Sequence, residues 1–251
     1  MQRINSGTTR TCNTSVGTLK IKGNTKLQEN DKTSKYRLTE PQIIYTPTRM
    51  LKLDGDVWFH KNGKIRSGFL SEPHIVDTIS GMLKIKGKVE FHENGRISAC
   101  RLLAPQVIET PTRMLMLKGK IATHESGRIR SGSLSDTHAV DTSAGNLKIK
   151  GDVEFNENGK IKIAHLSGPQ FTDTPLGKLK IKGDIWFHKN GRIQIICLNQ
   201  KLQDSSRIFD QGTIIGWDEN GNFLGEVVYD SAVEKFFPKK IKWNQPVLKI
   251  K

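Results

Sequence analysis

Four histidines hold the same place in a recurring phrase: His60, His92, His124 and His188 each precede a turn, with Asn156 standing in once. A regular row of imidazoles could hold metal ions or titrate as a pH-sensitive ladder. Equivalent positions in alternate hairpins lie too far apart to share an ion, and no second His or carboxylate completes each set. Outward polar pairing with Lys64 or Arg96 is the expectation. His74, His138 and the lone His165 give a weaker signal still. Carboxylates recur as Asp77, Glu109, Asp141 and Asp173, each followed by Thr. A pair of them could serve as acid and base in glycan cleavage. Their regular placement suits turn or ladder hydrogen bonding by Asp and Thr instead. There is no nucleophile motif, phosphate loop or Cys-His pairing, so no enzyme is expected and no catalytic, metal or cofactor residue is assigned.

Two further sets could bind rather than react. Lys52, Lys84, Lys86, Lys118, Lys148, Lys150, Lys180 and Lys182, with Lys20 and Lys22, fall on one parity of their strands. Forty Lys and Arg against 25 Asp and Glu give a formal charge of +15, which biases the surface toward anionic partners. The lysines read either as a docking face for phosphate or carboxylate groups, or as solubilising charges that discourage edge-to-edge pairing. Trp58 and Trp186, also outward in parity, could stack on sugars or bases. Cross-strand packing is the competing account.

What positions these residues is a repeat. The Asn-Gly of the phrase, or its counterpart, stands at Asn62-Gly63, Asn94-Gly95, Ser126-Gly127, Asn158-Gly159, Asn190-Gly191 and Asn220-Gly221. All steps are 32 residues except the last, which is 30. Such a period marks stacked supersecondary units. A second period of 64 lies over it, since Thr46–Leu51 reappears as Thr110–Leu115. Within a unit the pattern alternates: Leu83, Ile85, Gly87, Val89 and Phe91 share one face, Lys84, Lys86, Lys88, Glu90 and His92 the other. That is a half-buried strand.

A three-residue Glu93-Asn94-Gly95 loop pairs Phe91 with Ile97 and His92 with Arg96, keeping the apolar face in register. The same register sets Trp58 opposite Arg66 and Glu90 opposite Ser98. Leu70, Leu102 and Leu134 have the wrong parity for their strand. They require either a bulge near Gly68 and Gly132 or a turn to a second layer. His74–Thr78 and Gln106–Thr110 read as a third, short strand. Were the lysine strands direct neighbours, each adjacent pair would cost up to ~0.8 kcal/mol even in water, which favours an intervening strand.

The fold class expected is all-β: an elongated β-hairpin meander or β-solenoid of about seven 32-residue units. Residues 1–18 read as a flexible polar arm, 19–229 as the repeat array and 230–251 as a C-terminal cap. In the cap, Ser231–Phe237 forms a short helical turn stopped by Pro238, and Trp243, Val247, Leu248 and Ile250 cover the last face. Three cysteines, Cys12, Cys100 and Cys197, lack metal-type spacing and suit a reducing compartment. The opening residues have no apolar stretch of signal-peptide length and no run approaches a transmembrane helix. A cytoplasmic setting is the expectation.

The hairpin core Gly-x-(Val/Ile)-x-Phe-x-x-Asn-Gly-(Lys/Arg)-Ile, in Gly55–Ile65, Gly151–Ile161 and Gly183–Ile193, resembles the MORN repeat, especially its bacterial variant. The resemblance covers roughly half of each unit. It departs in a longer period, in lacking the Gly-Lys-x-x-Gly after the turn, and in an inserted Asp-Thr or Glu-Thr segment. It implies a twisted antiparallel sheet of hairpins in a scaffolding, membrane-associated or partner-binding protein. The function expected is a non-enzymatic scaffold presenting a basic face to phospholipid headgroups, nucleic acid or acidic glycan, with no small-molecule substrate. The alternatives are a self-assembling structural subunit, a carbohydrate-active protein, or a membrane β-barrel with a basic lumen.

Overall fold

A computed structural model describes residues 9–22, 27–28, 33–46, 50–110, 114–204, 207–230 and 235–238. The described chain is all-β, built from antiparallel strands that pair in sequence order as successive hairpins. It divides into two compact units: residues 1–138 with 150–161, and residues 139–149 with 162–251.

In the first unit each repeat contributes one long strand and two short ones. The long strands are Met50–Phe59, Gly81–Phe91 and Met114–Thr123. Each is followed by a six-residue strand, Ile65–Leu70, Ile97–Leu102 and Ile129–Leu134. The hairpin between them closes as the register argument requires. His92 N–H donates to the Arg96 carbonyl at 2.8 Å, Gly95 N–H to the His92 carbonyl at 2.8 Å, and Phe91 stands opposite Ile97. Gly95 takes φ 90°, the left-handed geometry that ends a type I turn in a three-residue loop.

Two bulges then shape each repeat. One residue bulges from the short strand, so Glu90 faces Ala99 and Trp58 faces Ser67, not Ser98 and Arg66 as an uninterrupted ladder would have it. The shift flips parity and turns Leu70, Leu102 and Leu134 into the core. Two residues bulge from the long strand around Gly87, which has φ 70°; Gly55 and Gly119 repeat this at 71°. An even-numbered bulge keeps parity, so Ile85 and Val89 both stay buried.

The bulge also folds the strand back. A straight 11-residue strand holds its ends about 33 Å apart. Here Ile79, just before the strand Gly81–Phe91, and Arg96, just after it, both lie against Gly127. Likewise Ser15 Oγ, ahead of the strand Gly17–Lys22, donates to the Gly63 carbonyl at a hairpin tip, at 2.6 Å. The unit therefore has two layers. The first holds the C-terminal halves of the long strands with the six-residue strands. The second holds their N-terminal halves paired with the short strands Gln42–Tyr45, His74–Thr78 and Gln106–Glu109.

Val57, Phe59, Val89, Phe91 and Ile121 of the first layer close the core with Ile44, Leu51, Leu53, Val76, Leu83, Ile85, Ile108, Leu115 and Leu117 of the second, all buried. The apolar parity thus faces inward, into the space between the layers.

The turns that open the long strands explain the threonine of the recurring Asp-Thr. Thr78 Oγ1 donates to the Gly81 carbonyl at 2.8 Å and accepts from Ser80 N–H at 3.2 Å; Thr14, Thr142 and Thr174 do the same in their own turns. Hydroxyl capping of this kind is a usual role for Thr at a reversal.

The ends differ from expectation. Residues 9–14 are not part of a loose arm: Thr9–Thr14 forms a strand paired with Gly17–Lys22. In the second unit the repeat continues through Gly177–Phe187 and Ile193–Leu198 to a last hairpin, Ile214–Trp217 with Phe223–Asp230. Instead of a helical turn, Lys235–Pro238 is a strand paired with Val227–Asp230. Trp243, Val247, Leu248 and Ile250 lie outside the described residues.

Candidate anion-binding face

The histidines staple hairpins to one another. His60 Nε2 donates to the Phe91 carbonyl at 2.9 Å, His92 to Thr123 at 3.1 Å and His124 to Phe155 at 3.0 Å. In the second unit His188 donates to Trp217 at 2.9 Å. This replaces the pairing expected with Lys64 or Arg96; those residues meet the histidines through backbone only. The turn asparagines add a second rung, with Asn62 Nδ2 reaching the Glu93 carbonyl at 3.1 Å and Asn94 the Glu125 carbonyl at 2.9 Å. Replacing His92 with Ala should cost about 1 kcal/mol, the net worth of one such bond plus the carbonyl left unpaired. A urea titration of that variant reads the loss directly.

Of the lysines singled out, Lys52, Lys84, Lys86, Lys118, Lys148 and Lys150 are exposed, while Lys180 and Lys182 are half-buried. They are not equivalent. Lys52 pairs with Glu72 at 3.6 Å, Lys118 Nζ donates to the Ser135 carbonyl at 3.5 Å, and Lys180 lies 6.0 Å over the Phe171 ring. Lys86 belongs to a sharper feature. Arg101, on the strand Ile97–Leu102, stands directly opposite Lys86 on one side and Lys120 on the other.

Three cations thus form a row across adjacent strands, all exposed. Neighbours about 5 Å apart repel by up to ~0.8 kcal/mol even at the dielectric of water. The repeat-equivalent rows avoid this. Phe69 stands between Asp54 and Lys88, and Ser133 between Lys118 and Asp152. Arg101 could have been found from sequence only with the bulge register in hand.

Glu90 is the acidic group beside this row. Its hydrogen bond from Lys88, at 2.7 Å, holds its carboxyl below the ordinary value; burial opposes this, and the charges of Lys88, Lys120 and Arg66 add to it. Glu90 therefore stays ionised and offsets part of the cationic field until pH falls through its lowered pKa.

Trp58 is half-buried on the outer face of the first layer, with Lys35 Nζ 5.2 Å over its ring and Phe69 at 6.4 Å. Its cation partner comes from the strand Thr33–Arg37, not from Arg66. Trp186, in the second unit, is half-buried and stands opposite Ile163 on one side and Ile195 on the other. The Trp58 ring is packed against strand neighbours. The thiol of Cys100 is buried and its pKa is pushed up to about 12 by loss of solvent, so it stays neutral and unreactive. Cys12 and Cys197 are partly exposed.

Sequence reasoning missed a set of exposed apolar residues on the outer face of the second layer: Ile43, Met50, Ile75, Met82, Val107 and Met114. They share the outward parity of the lysines, and Met50 and Met114 sit in the segment repeated at 64 residues. Protein-family models, characterised proteins and solved structures contain no match to this chain.

Proposed function

We propose that the chain is a non-enzymatic repeat scaffold whose basic face binds an anionic partner. The observation that carries this reading is the row Lys86–Arg101–Lys120. A repulsive arrangement on an exposed surface, avoided at the equivalent positions of neighbouring repeats, is relieved when phosphate, sulfate or carboxylate groups settle over it. The resemblance of the hairpin core to the MORN repeat supports a scaffolding role. The layered fold supports it too, because a layer of hairpins stapled by His and Asn gives the cations a fixed spacing. Lys148, Lys150, Lys180 and Lys182 extend the basic character of the repeat.

Titration of binding to nucleic acid, anionic vesicles and an acidic glycan over a range of salt tests the reading. Affinity for one of them should fall with salt. Arg101→Glu should weaken it about tenfold at ~0.1 M salt and reduce the salt slope by about 1. Binding should strengthen as pH falls through the titration of Glu90, because protonation removes the carboxylate that offsets the row. Salt-independent binding, or an Arg101→Glu chain that binds as well as the parent, would sink the proposal.

A further inference from the structure

The outer face of the second layer carries apolar side chains in a regular lattice. On the hairpin Gln42–Tyr45 with Met50–Leu53, Ile43 and Met50 are each 57% exposed. On the next, Ile75 and Met82 are 44% and 71% exposed, and on the third Val107 and Met114 are 55% and 65%. Ile43 stands opposite Lys52 and Ile75 opposite Lys84, so the apolar pairs run diagonally across each hairpin. Lys52 and Lys84 flank them toward the bulge, and Asp77 and Glu109, opposite Met82 and Met114, flank them toward the turns. Monomeric surfaces rarely repeat large exposed apolar side chains in this way on one sheet face, and methionines suit adaptable docking.

Spacing and charge name the occupant. The long strands run through both layers, so one hairpin pitch is two strand spacings, about 9.6 Å. Along an α-helix, seven residues advance about 10.5 Å and return to the same side. A helix laid across the hairpins would therefore set one heptad over each Ile/Met or Val/Met pair. Its charged flanks would meet lysines on one side and carboxylates on the other. A uniformly anionic bilayer matches less well, because Asp77 and Glu109 lie on the same face. A second copy would bring together two chains of formal charge +15.

We infer that this face docks an amphipathic helix of a partner protein, about three heptads long, with an acidic flank over Lys52 and Lys84. It is a surface separate from the Lys86–Arg101–Lys120 row.

A designed 21-residue helix with leucines on one stripe and glutamates on one flank is the probe. Measured by fluorescence anisotropy with the full chain, it should bind at least tenfold tighter than the same helix with lysines on both flanks. Met82→Glu with Met114→Glu should weaken it tenfold or more while leaving salt-sensitive anion binding intact. Arg101→Glu should do the opposite, so failure of one surface is distinguishable from failure of the other. Far-UV circular dichroism verifies that each variant is folded.

Equal binding of the two helices, or no effect of the methionine substitutions, would overturn the inference. So would either of two other results: the methionine substitutions abolishing binding to phosphatidylserine vesicles when no helix binds, or light scattering showing that they dissolve a dimer.

Discussion

A chain carrying Gly132→Val should unfold at sharply lower urea, with a loss of about 3 kcal/mol. A Cβ at this position would lie 2.8 Å from Leu117 Cδ1 and 3.3 Å from Ile121 Cγ2. Both neighbours are fully buried, at 0% and 1% exposure, so neither can swing into solvent. Valine adds two more methyl groups to that clash, and overpacking a finished core costs 1–3 kcal/mol or more. Leu117→Ala alone leaves a cavity worth about 2–5 kcal/mol. The double variant should lose clearly less than the sum, with a coupling of roughly 1–3 kcal/mol, because the new valine fills the space the leucine vacates. Additive losses in the urea titrations would mean that the short strand does not press on Leu117.

Gly87→Val should also be damaging, by about 2–3 kcal/mol, for a different reason. No heavy atom lies within 4 Å of a Cβ built there, so crowding contributes nothing. The whole cost is backbone. Gly87 has φ 70°, and a β-branched residue in that region is strained by about 1–3 kcal/mol. Asn tolerates the left-handed region better, so Gly87→Asn should lose only about 1 kcal/mol. Thermal melts of the two variants provide the comparison. Equal losses would show that the bulge does not depend on positive φ.

Much of this architecture could be read from residue types. The alternation of Leu83, Ile85, Val89 and Phe91 with lysines announced the strand. The demand that Phe91 face Ile97 selected the three-residue turn that the backbone adopts. The odd parity of Leu102 required either a bulge or a turn to a second layer, since no continuous ladder could bury it beside Ile97. Position was harder than existence. One bulge falls at Ser98 and moves partners by one; the two-residue bulge at Gly87 then moves them by two the other way.

Those shifts hid the candidate site. Arg101 meets Lys86 only after both bulges. The fold-back at Gly87 was hidden as well, because a glycine of correct parity reads like any weak point in a strand. The core does leave one trace. Leu53 and Leu117 face Gly68 and Gly132, whereas the repeat-equivalent Ile85, Ile149 and Ile181 accompany Cys100, Ala164 and Ile196. The longer reach of leucine leaves room for hydrogen alone.

The two layers should also open at different free energies. In the first, backbone ladders run from strand to strand. In the second, side chains link one hairpin to the next: Gln106 accepts from Lys84 N–H and donates to its carbonyl, both at 2.7 Å, and Gln42 does the same for Lys20. There a backbone bond from Tyr45 N–H to the Val16 carbonyl at 3.5 Å is added. At the junction between them, His74 Nε2 accepts from Lys52 N–H at 3.2 Å. A hairpin tethered by an amide or an imidazole can lift away without breaking a neighbour's ladder. Amide protons of the second layer should therefore exchange with solvent hairpin by hairpin, well before the protons of the first.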